Sequence, residues 1–306
     1  MPPTPQVTFY KTGLKIGNAF YPCLPNSTEL ICPRNFAIPP IIGNFWQLNY
    51  ADGLRQPVVN TQIVIRSNTA EVLSTTFLDY FMLRSNDLKH DMPNINSGGN
   101  GITFFDGASA FNMGGGAGGI VKANAFTLMS SKGEDLIFNA QFLGNNIVPI
   151  VGGSLAALSA PSWSKDPPLR FQNVNFDGTA ANEVWRFSLA YSNNCNPNLA
   201  MDQTVFPADI NGGLQTCGLS LTMQALSTPP ADESELHLFI YPAQQNAAAA
   251  HGNDGGGGSA FRNFKMAAPI NNTRDDRRLT APRIMRNYDY IVLGGDSQAI
   301  PPLSYV

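Results

Sequence analysis

Val184-Trp-Arg-Phe-Ser-Leu-Ala-Tyr191 is the stretch that decides the fold class of this chain. Large apolar residues alternate in it with polar or small ones, which is the period of a β-strand that buries one face. The same alternation recurs from Asp135 to Phe142, from Cys217 to Met223 and from Glu235 to Tyr241. Four such segments predict antiparallel strands around a common core. The residues predicted to face that core include Leu136, Phe138, Ala140, Phe142, Trp185, Phe187, Leu189, Tyr191, Cys217, Leu219, Leu221 and Met223.

Two further elements are predicted before these strands. Every second residue from Val59 to Ile65 is apolar or Thr, so a strand is expected over 58–66. Residues 68–84 are predicted to form a helix, because apolar residues recur there at spacings of three and four. Asn68 and Glu71 have the spacing of a capping box at its start. A strand through the same segment is the alternative. The apolar residues of the predicted helix are Ala70, Leu73, Phe77 and Phe81.

Residues 85–119 are predicted to form a long polar loop between strands. Asn and Ser are frequent in this segment, and glycines cluster at Gly98–Gly99 and again between Gly114 and Gly119. Ile102-Thr-Phe-Phe105 is apolar enough to be a short strand or an anchor inserted into another surface. Loops of this length are usually functional or disordered. The fold class that follows is mainly β: an antiparallel β-sandwich or barrel with one flanking α-helix, this inter-strand loop and extended terminal arms.

Composition divides the chain into four segments. Residues 1–57 are predicted to be an arm with the first strands, 58–243 a β domain, and 244–260 a flexible Gly/Ala-rich linker. Residues 261–306 are predicted to be a basic extension that ends in a strand, since they hold seven of the 19 basic residues and four acids. The extension would dock on its own acidic body or on a neighbouring subunit. Acids interrupt its basic run, so a protein–protein salt network is favoured over binding to nucleic acid.

The charge content indicates extensive contacts between copies of the chain. Only 13% of the 306 residues are charged and the net charge is −3, whereas soluble domains average about 25% charged residues. A free monomer usually stays soluble through charged side chains, so a surface of Asn, Gln, Ser and Thr suits a protein that is buried against itself. A β-sandwich with a Thr, Ser and Asn face is the alternative explanation.

Patterns of enzyme, metal and membrane chemistry are missing from the sequence. It contains no C-x-x-C and no G-x-S-x-G, and the glycines at 114–119 are not followed by Gly-Lys-Ser/Thr. Carboxylate pairs such as Glu134–Asp135 lie in predicted turns, where solvation explains them. No apolar stretch approaches ~20 residues, and the start has no secretion signal. We therefore expect no enzyme activity, no catalytic residue, no cofactor, no metal, no membrane partner, and folding in the cytoplasm.

The centre of the chain resembles the tail tube (major tail) proteins of long-tailed bacteriophages, which are related in design to type VI secretion tube proteins. One block is Gly119-Ile-Val-Lys-Ala-Asn-Ala-Phe-Thr-Leu128, followed by Lys132-Gly-Glu-Asp-Leu136 and Phe138-Asn-Ala-Gln-Phe-Leu-Gly144. A second is Val184-Trp-Arg-Phe-Ser-Leu-Ala-Tyr-Ser-Asn-Asn194. A third runs from Phe206 into Cys217-Gly-Leu-Ser-Leu-Thr-Met223. The resemblance covers residues 58–241 and does not extend to the arm before Asn49 or the segment after Pro242.

This resemblance implies a structural virion protein that assembles with itself into stacked hexameric rings and forms a hollow tail tube for DNA ejection. Its partners would be itself and other phage tail proteins (tape measure, terminator and sheath), with DNA only transiently in the lumen. It would be assembled in the host cytoplasm and located in the virion tail. The alternatives are another virion protein, such as a β-sandwich capsid or cement protein, and a carbohydrate-binding β-sandwich. The predicted assembly-loop residues are His90, Asp91, Met92, Phe104, Phe105, Phe111 and Met113, and the predicted tail contacts are Arg274, Arg277, Arg278, Tyr288 and Tyr290.

Overall fold

A computed structural model describes most of the chain, and its strands account for the alternation in the sequence. The described residues are 12–16, 19–24, 27–32, 36–37, 51–52, 55–65, 73–84, 93–95, 101–106, 110–150, 168–176, 184–198, 206–224, 229–241, 262–273, 277–280, 283–294 and 300–306. The strands are β1 (Thr12–Ile16), β2 (Ala19–Pro22), β3 (Glu29–Ile31), β4 (Phe36–Ala37), β5 (Ala51–Asp52), β6 (Val58–Val64), β7 (Leu83–Arg84), β8 (Ile102–Asp106), β9 (Ala110–Met113), β10 (Val121–Ser131), β11 (Ile137–Gly144), β12 (Ile147–Ile150), β13 (Val174–Phe176), β14 (Val184–Ser192), β15 (Asn196–Asn198), β16 (Asp209–Asn211), β17 (Thr216–Gln224), β18 (Leu236–Ile240), β19 (Arg262–Met266), β20 (Ala268–Asn271), β21 (Arg277–Thr280), β22 (Arg283–Leu293) and β23 (Leu303–Tyr305).

A nine-stranded antiparallel sheet is the largest part of the fold. Its order is β20-β22-β17-β14-β10-β11-β6-β3, and β21 pairs with another part of β22. In β6, β11 and β17 the alternate residues predicted to face the core are buried, so the sequence patterns are confirmed there. In β14 the register shifts between Val184 and Arg186, and Val184 is buried instead of the half-buried Trp185. A bulge of this kind reverses the side to which the preceding residues point.

Two five-stranded sheets complete the core. One has the order β12-β9-β8-β1-β2, and the other has the order β13-β18-β19-β23-β7, in which β23 and β7 are parallel. Residues of all three sheets belong to a single hydrophobic cluster. The prediction of a mainly β, antiparallel fold is confirmed. The described strands form open sheets and do not close into a barrel.

Phenylalanines fill the centre of the core. Phe138 stacks on Phe126 with ring centroids 5.0 Å apart, and Phe77 and Phe81 each meet Phe138 edge-on at 5.6 Å. Aromatic pairs in these geometries contribute about 0.5–1.5 kcal/mol each beyond the burial of their area. Phe142 completes the cluster at 5.4 Å from Phe81. The central sheet is thus fixed to the segment around residue 77 by ring packing.

The predicted flanking helix over 68–84 is not confirmed. Within the described part of this segment, the helix is a single turn, α1 (Thr75–Leu78), and the chain enters β7 at Leu83. The Ser74 hydroxyl accepts a hydrogen bond from the Phe77 N–H at 3.2 Å, as a cap at the start of a helix does. The predicted capping pair Asn68 and Glu71 lies outside the described residues. Leu73, Phe77 and Phe81 are all buried, as the helical spacing predicted.

The predicted long loop over 85–119 is corrected for its second half. Ile102–Asp106 and Ala110–Met113 pair as the antiparallel strands β8 and β9, which lie inside a five-stranded sheet. The glycine run after it is a turn held by side chains: the Asn145 amide donates to the Gly118 carbonyl at 3.0 Å and its oxygen accepts from the Ile120 N–H at 2.8 Å. Ile102, Phe104 and Met113 are therefore strand residues that belong to the core.

The C-terminal segment contributes to the same sheets as the rest of the chain. β19 and β23 lie in the sheet of β18, and β22 pairs with β17 along eight consecutive residues from Met285 to Val292. Phe264, Tyr288 and Tyr305 belong to the common core cluster. In the described residues of this chain, no helix is long and apolar enough to span a membrane.

Candidate functional site

The outward face of the nine-stranded sheet is the candidate functional surface. Within this sheet, the neighbouring strands β22, β17, β14, β10, β11 and β6 each bury one set of alternate residues. The other set points outward and is half-buried or exposed. Amides and hydroxyls dominate the presented set, which we call the amide face. It is defined by Asn60, Gln62, Thr127, Asn139, Gln141, Ser188, Ser220, Thr222 and Asn287.

A ladder of amide hydrogen bonds crosses three strands of this face. The Asn124 amide donates to Gln141 Oε1 at 2.5 Å, and the Gln141 amide donates to Asn60 Oδ1 at 2.9 Å. At the other end of the ladder, Asn124 Oδ1 accepts from the Cys195 N–H at 2.8 Å. Amide side chains in such a chain hold one another in place, so the face is ordered as well as polar.

Hydroxyl–acceptor pairs continue the pattern on the other half of the sheet. The Ser220 hydroxyl donates to Asp289 Oδ1 at 2.5 Å, and the Thr222 hydroxyl donates to Asn287 Oδ1 at 2.9 Å. Both pairs join β17 to β22 directly across the ladder of backbone bonds. Short polar side chains thus use part of their hydrogen-bonding capacity on each other and offer the remainder to solvent or to a ligand.

The face is concave beside β3 and electrically balanced. Amides and hydroxyls from β6, β10 and β11 line a hollow of about 810 Å³, together with Ser27 and Thr28 before β3 and Glu29 at its start. Among the described side chains that point outward from the strands of this sheet, two are acidic, Glu29 and Asp289, and two are basic, Lys122 and Arg186. The charges of these described side chains cancel, so together they give the face no net attraction for a polyanion or a polycation.

The cysteines and the other metal-binding residue types show little sign of a metal or thiol site in the described part of the chain. No group of three or more His, Cys, Asp or Glu with metal-binding geometry occurs in the described part of the chain. Burial raises the pKa of the Cys195 thiol to about 11 and also raises the pKa of Cys217 and Cys23. A thiol that stays protonated at neutral pH is a poor nucleophile and a poor metal ligand.

One ionic cluster lies on the sheet of β18 and β19. Glu235 accepts hydrogen bonds from Lys265 Nζ and from His237 Nε2, both at 2.7 Å. The hydrogen bond from Lys265 lowers the pKa of Glu235 below its ordinary value, and His237 adds to the effect. His237 also contacts Asn263 on the neighbouring strand. All of these groups are partly exposed, so the cluster resembles a surface salt network rather than a proton-transfer site.

The β20 edge of the large sheet is blocked against a further strand. Pro269 has no N–H, and its carbonyl accepts from the Glu233 N–H at 2.9 Å. The Asn271 N–H donates to Asp232 Oδ1 at 2.7 Å. Proline and the covering of edge groups by a loop are devices by which natural sheets protect their edges. At the other edge, β3 pairs only with β6 among the described strands, and Ile31 on it is exposed.

The predicted assembly residues that the structure describes lie in strands and do not form an exposed loop. Phe104 and Met113 are buried in the core, Phe111 is half-buried in β9, and Phe105 lies in β8, with its side chain not described. Burial removes Phe104 and Met113 from a role as exposed loop contacts, and that prediction is corrected. His90, Asp91 and Met92 lie outside the described residues.

The predicted tail contacts divide in the same way. Tyr288 and Tyr290 are buried in the core, and the Tyr290 hydroxyl donates to the Pro230 carbonyl at 3.2 Å, so these two are structural residues. Arg277 and Arg278 lie in β21, with their side chains not described, and Arg274 is outside the described residues. A contact role for these arginines stays a prediction.

Sequence reasoning did not identify the amide face, although part of its pattern was visible. Asn139, Gln141, Ser220 and Thr222 are the polar partners in the alternating segments. Their lack of charge, strand after strand, was the feature that could have marked one continuous surface. The register that joins Asn60 to Gln141 could not be derived, because the two residues are 81 positions apart.

Comparison with known proteins adds no relative. No protein-family model matches the chain, and no curated protein is significantly similar to it in sequence.

Proposed function

We propose that this chain is a structural, self-assembling protein that forms a phage tail tube, with the amide face lining the channel. The observation that carries the proposal is the electrical balance of a broad, ordered polar sheet face. The proposal also draws on the resemblance in residues 58–241, on the low charge content and on the β-sandwich architecture that the resemblance implies.

A neutral amide and hydroxyl lining suits the passage of DNA. Phosphates bind to proteins mainly through Lys and Arg, and the release of counterions makes that attraction strong. Among the described side chains that point outward from this sheet, Lys122 and Arg186 are offset by Glu29 and Asp289, so together they offer passing phosphates no net charge.

The two edges of the nine-stranded sheet differ, because the β3 edge can accept a strand from a neighbouring subunit and the β20 edge cannot. Strand addition at β3 would extend the sheet into a neighbouring subunit, and the blocked β20 edge would keep that contact from forming in the wrong place. Hexameric rings, ring stacking and contacts with tape measure, terminator and sheath proteins belong to the same proposal. They rest on the resemblance.

Electron microscopy of the purified full-length protein tests the proposal. Hollow tubes of constant diameter are the expected result, whereas closed shells or capsid decoration would favour a capsid or cement protein. Retention on polysaccharide would favour a carbohydrate-binding protein, for which the polar hollow beside β3 is the relevant surface. Monodisperse monomers at high concentration would contradict self-assembly.

A further inference from the structure

We propose that strand β21 of one copy of this chain pairs with strand β3 of the next copy, so that the nine-stranded sheets of neighbouring subunits form one continuous antiparallel sheet. The inference rests on the proposed function, because it names the strand that the β3 edge accepts. It also fixes the stagger between neighbouring subunits, and therefore the kind of closure that the assembly can reach.

The sheet has an open edge on each side. β20 and β21 both pair with β22 on the side away from β17, so they are two parts of the same edge. The β20 part is closed by its hydrogen bonds with Asp232 and Glu233, whereas none of the described strands pairs with the outer side of β21. On the opposite side, β3 pairs only with β6 in the described part of the chain. Open edges of this kind are sites of strand addition.

The number of strands makes the two edges compatible. Because β20 and β21 share one position, the nine strands occupy eight positions across the sheet. Every neighbouring pair among them is antiparallel, so the strand direction alternates and β3 runs opposite to β21. A copy placed beside the β3 edge in the same orientation therefore presents its β21 antiparallel to β3 and keeps its amide face on the same side.

The two edges carry opposite charges. Glu29 of β3 is exposed and lies opposite Asn60, so it belongs to the amide face. Arg278 of β21 lies opposite Met285, which is on the same alternation of β22 as Asn287 of the amide face. Opposite charges directly across an antiparallel pair stabilise it, and like charges destabilise it. Pairing of β21 with β3 therefore gains from setting Glu29 against Arg278.

The strand register gives the stagger that this pairing imposes. The row of residues that includes Glu29 crosses the sheet through Asn60, Gln141, Ala125, Ser192 and Thr216. Thr216 precedes Cys217, which lies opposite Val292, so the row reaches β22 at position 293. Arg278 lies opposite position 285. Positions 293 and 285 are eight residues apart, and the next copy is shifted along the strands by that amount.

A stagger of this size suits a closed ring. Eight residues span roughly 26 Å along a strand, and eight strand positions span roughly 38 Å across the sheet. A ring built with these dimensions tilts its strands by roughly 35° from the ring axis, and the strands of closed barrels are tilted by about 35–45°. The contact is also heterologous, since it joins two different edges, as a ring requires. The open sheets of several copies can therefore close together into one barrel.

Cysteine cross-linking tests the pairing. In a Cys32→Ser background the other three cysteines are buried, and a Glu29→Cys chain mixed with an Arg278→Cys chain should form a disulfide-linked dimer under mild oxidation. A Glu29→Cys chain mixed with an Asn271→Cys chain is the matched control and should give no link, because Asn271 lies in the blocked β20 part of the edge. Assemblies without the first link, or with a link only in the control, would overturn the inference.

Charge reversal tests the partner residues. Glu29→Arg should raise the protein concentration needed for assembly about tenfold, measured by light scattering, because it sets like charges against each other. The double variant Glu29→Arg/Arg278→Glu should return this concentration to within about threefold of the wild-type value. Glu134→Arg is the matched control, since Glu134 is an exposed acid in the turn after β10. Unchanged urea midpoints would show that the variants are folded. Assembly of Glu29→Arg at the wild-type concentration, or a double variant that restores nothing, would overturn the inference.

The two proposals fail separately. If the wild-type protein makes an assembly other than a tube and the cross-link still forms, the tube function is wrong and the strand pairing stands. If tubes form without the link, the pairing is wrong and the tube function stands. If the protein stays monomeric and no link forms, both are wrong.

Discussion

Replacement of the buried residue Asn193 tests how the segment after α1 is attached to the nine-stranded sheet. It is 1% exposed, and its amide donates to the carbonyls of Phe81 and Ala123, each at 2.9 Å. It thereby ties the segment after α1 to β10. Asn193→Ala leaves two buried acceptors without this donor, and each such loss costs about 1–3 kcal/mol. We expect the free energy of unfolding to fall by about 2–6 kcal/mol in total.

Urea denaturation followed by tryptophan fluorescence measures this loss. The protein concentration must be kept below that of assembly, since association adds apparent stability. Asn196→Ala is the matched control: its exposed amide donates to the Asn194 carbonyl at 3.0 Å, and we expect a change within about 0.5 kcal/mol. If Asn193→Ala were no more destabilising than the control, the assignment of Asn193 as a core link would be refuted.

Three further predictions concern the core, the ionic cluster and the amide face. Phe138→Ala should lower the free energy of unfolding by about 3–5 kcal/mol, because a fully buried ring is replaced by a cavity, and a loss below 1 kcal/mol would contradict the aromatic core. The pKa of Glu235 is lower in the folded protein, so its pairing with Lys265 stabilises the protein above the unfolded pKa and is lost as the pH falls through the folded pKa. Comparison with Glu235→Gln in thermal melts from pH 7 to pH 3 should therefore show a difference of about 0.5 kcal/mol or less at neutral pH that vanishes in acid, and a difference that grew in acid would have the wrong sign. Ser188→Lys/Ser220→Lys should give the assembled protein a salt-dependent affinity for DNA, and Ser188→Gln/Ser220→Gln, measured by the same filter-binding assay, should not.

The alternating strands were predictable because one buried face imposes its period on the sequence. In β11 and β17 every residue predicted to face the core does so. The bulge that displaces Trp185 in β14 was not predictable, because the apolar period continues through it while the backbone register changes.

The helix and the long loop show where local patterns stop being informative. Spacings of three and four correctly placed Leu73, Phe77 and Phe81 on one buried face, but a compact turn achieves that as well as a helix does. In the glycine-rich segment, Asn145 holds Gly118 from 27 positions away. Hydrogen bonds at that separation depend on the finished fold, so the sequence alone suggested a loop.

The candidate surface was the least predictable part of the protein. Its residues come from strands that are far apart in the chain, and only the pairing of β6, β11 and β10 brings Asn60, Gln141 and Asn124 into one ladder. Charge composition indicated an unusual exterior, but it could not indicate which face of which sheet carried it.

The parallel pairing of β23 with β7 joins two segments of the chain that are synthesised far apart in time. Ser304 lies opposite Leu83, so this sheet stays incomplete until more than 200 further residues have left the ribosome. Contacts between such distant parts of a chain form late and slowly. Strand β7 therefore has no partner in this sheet until β23 has been synthesised and has paired with β19.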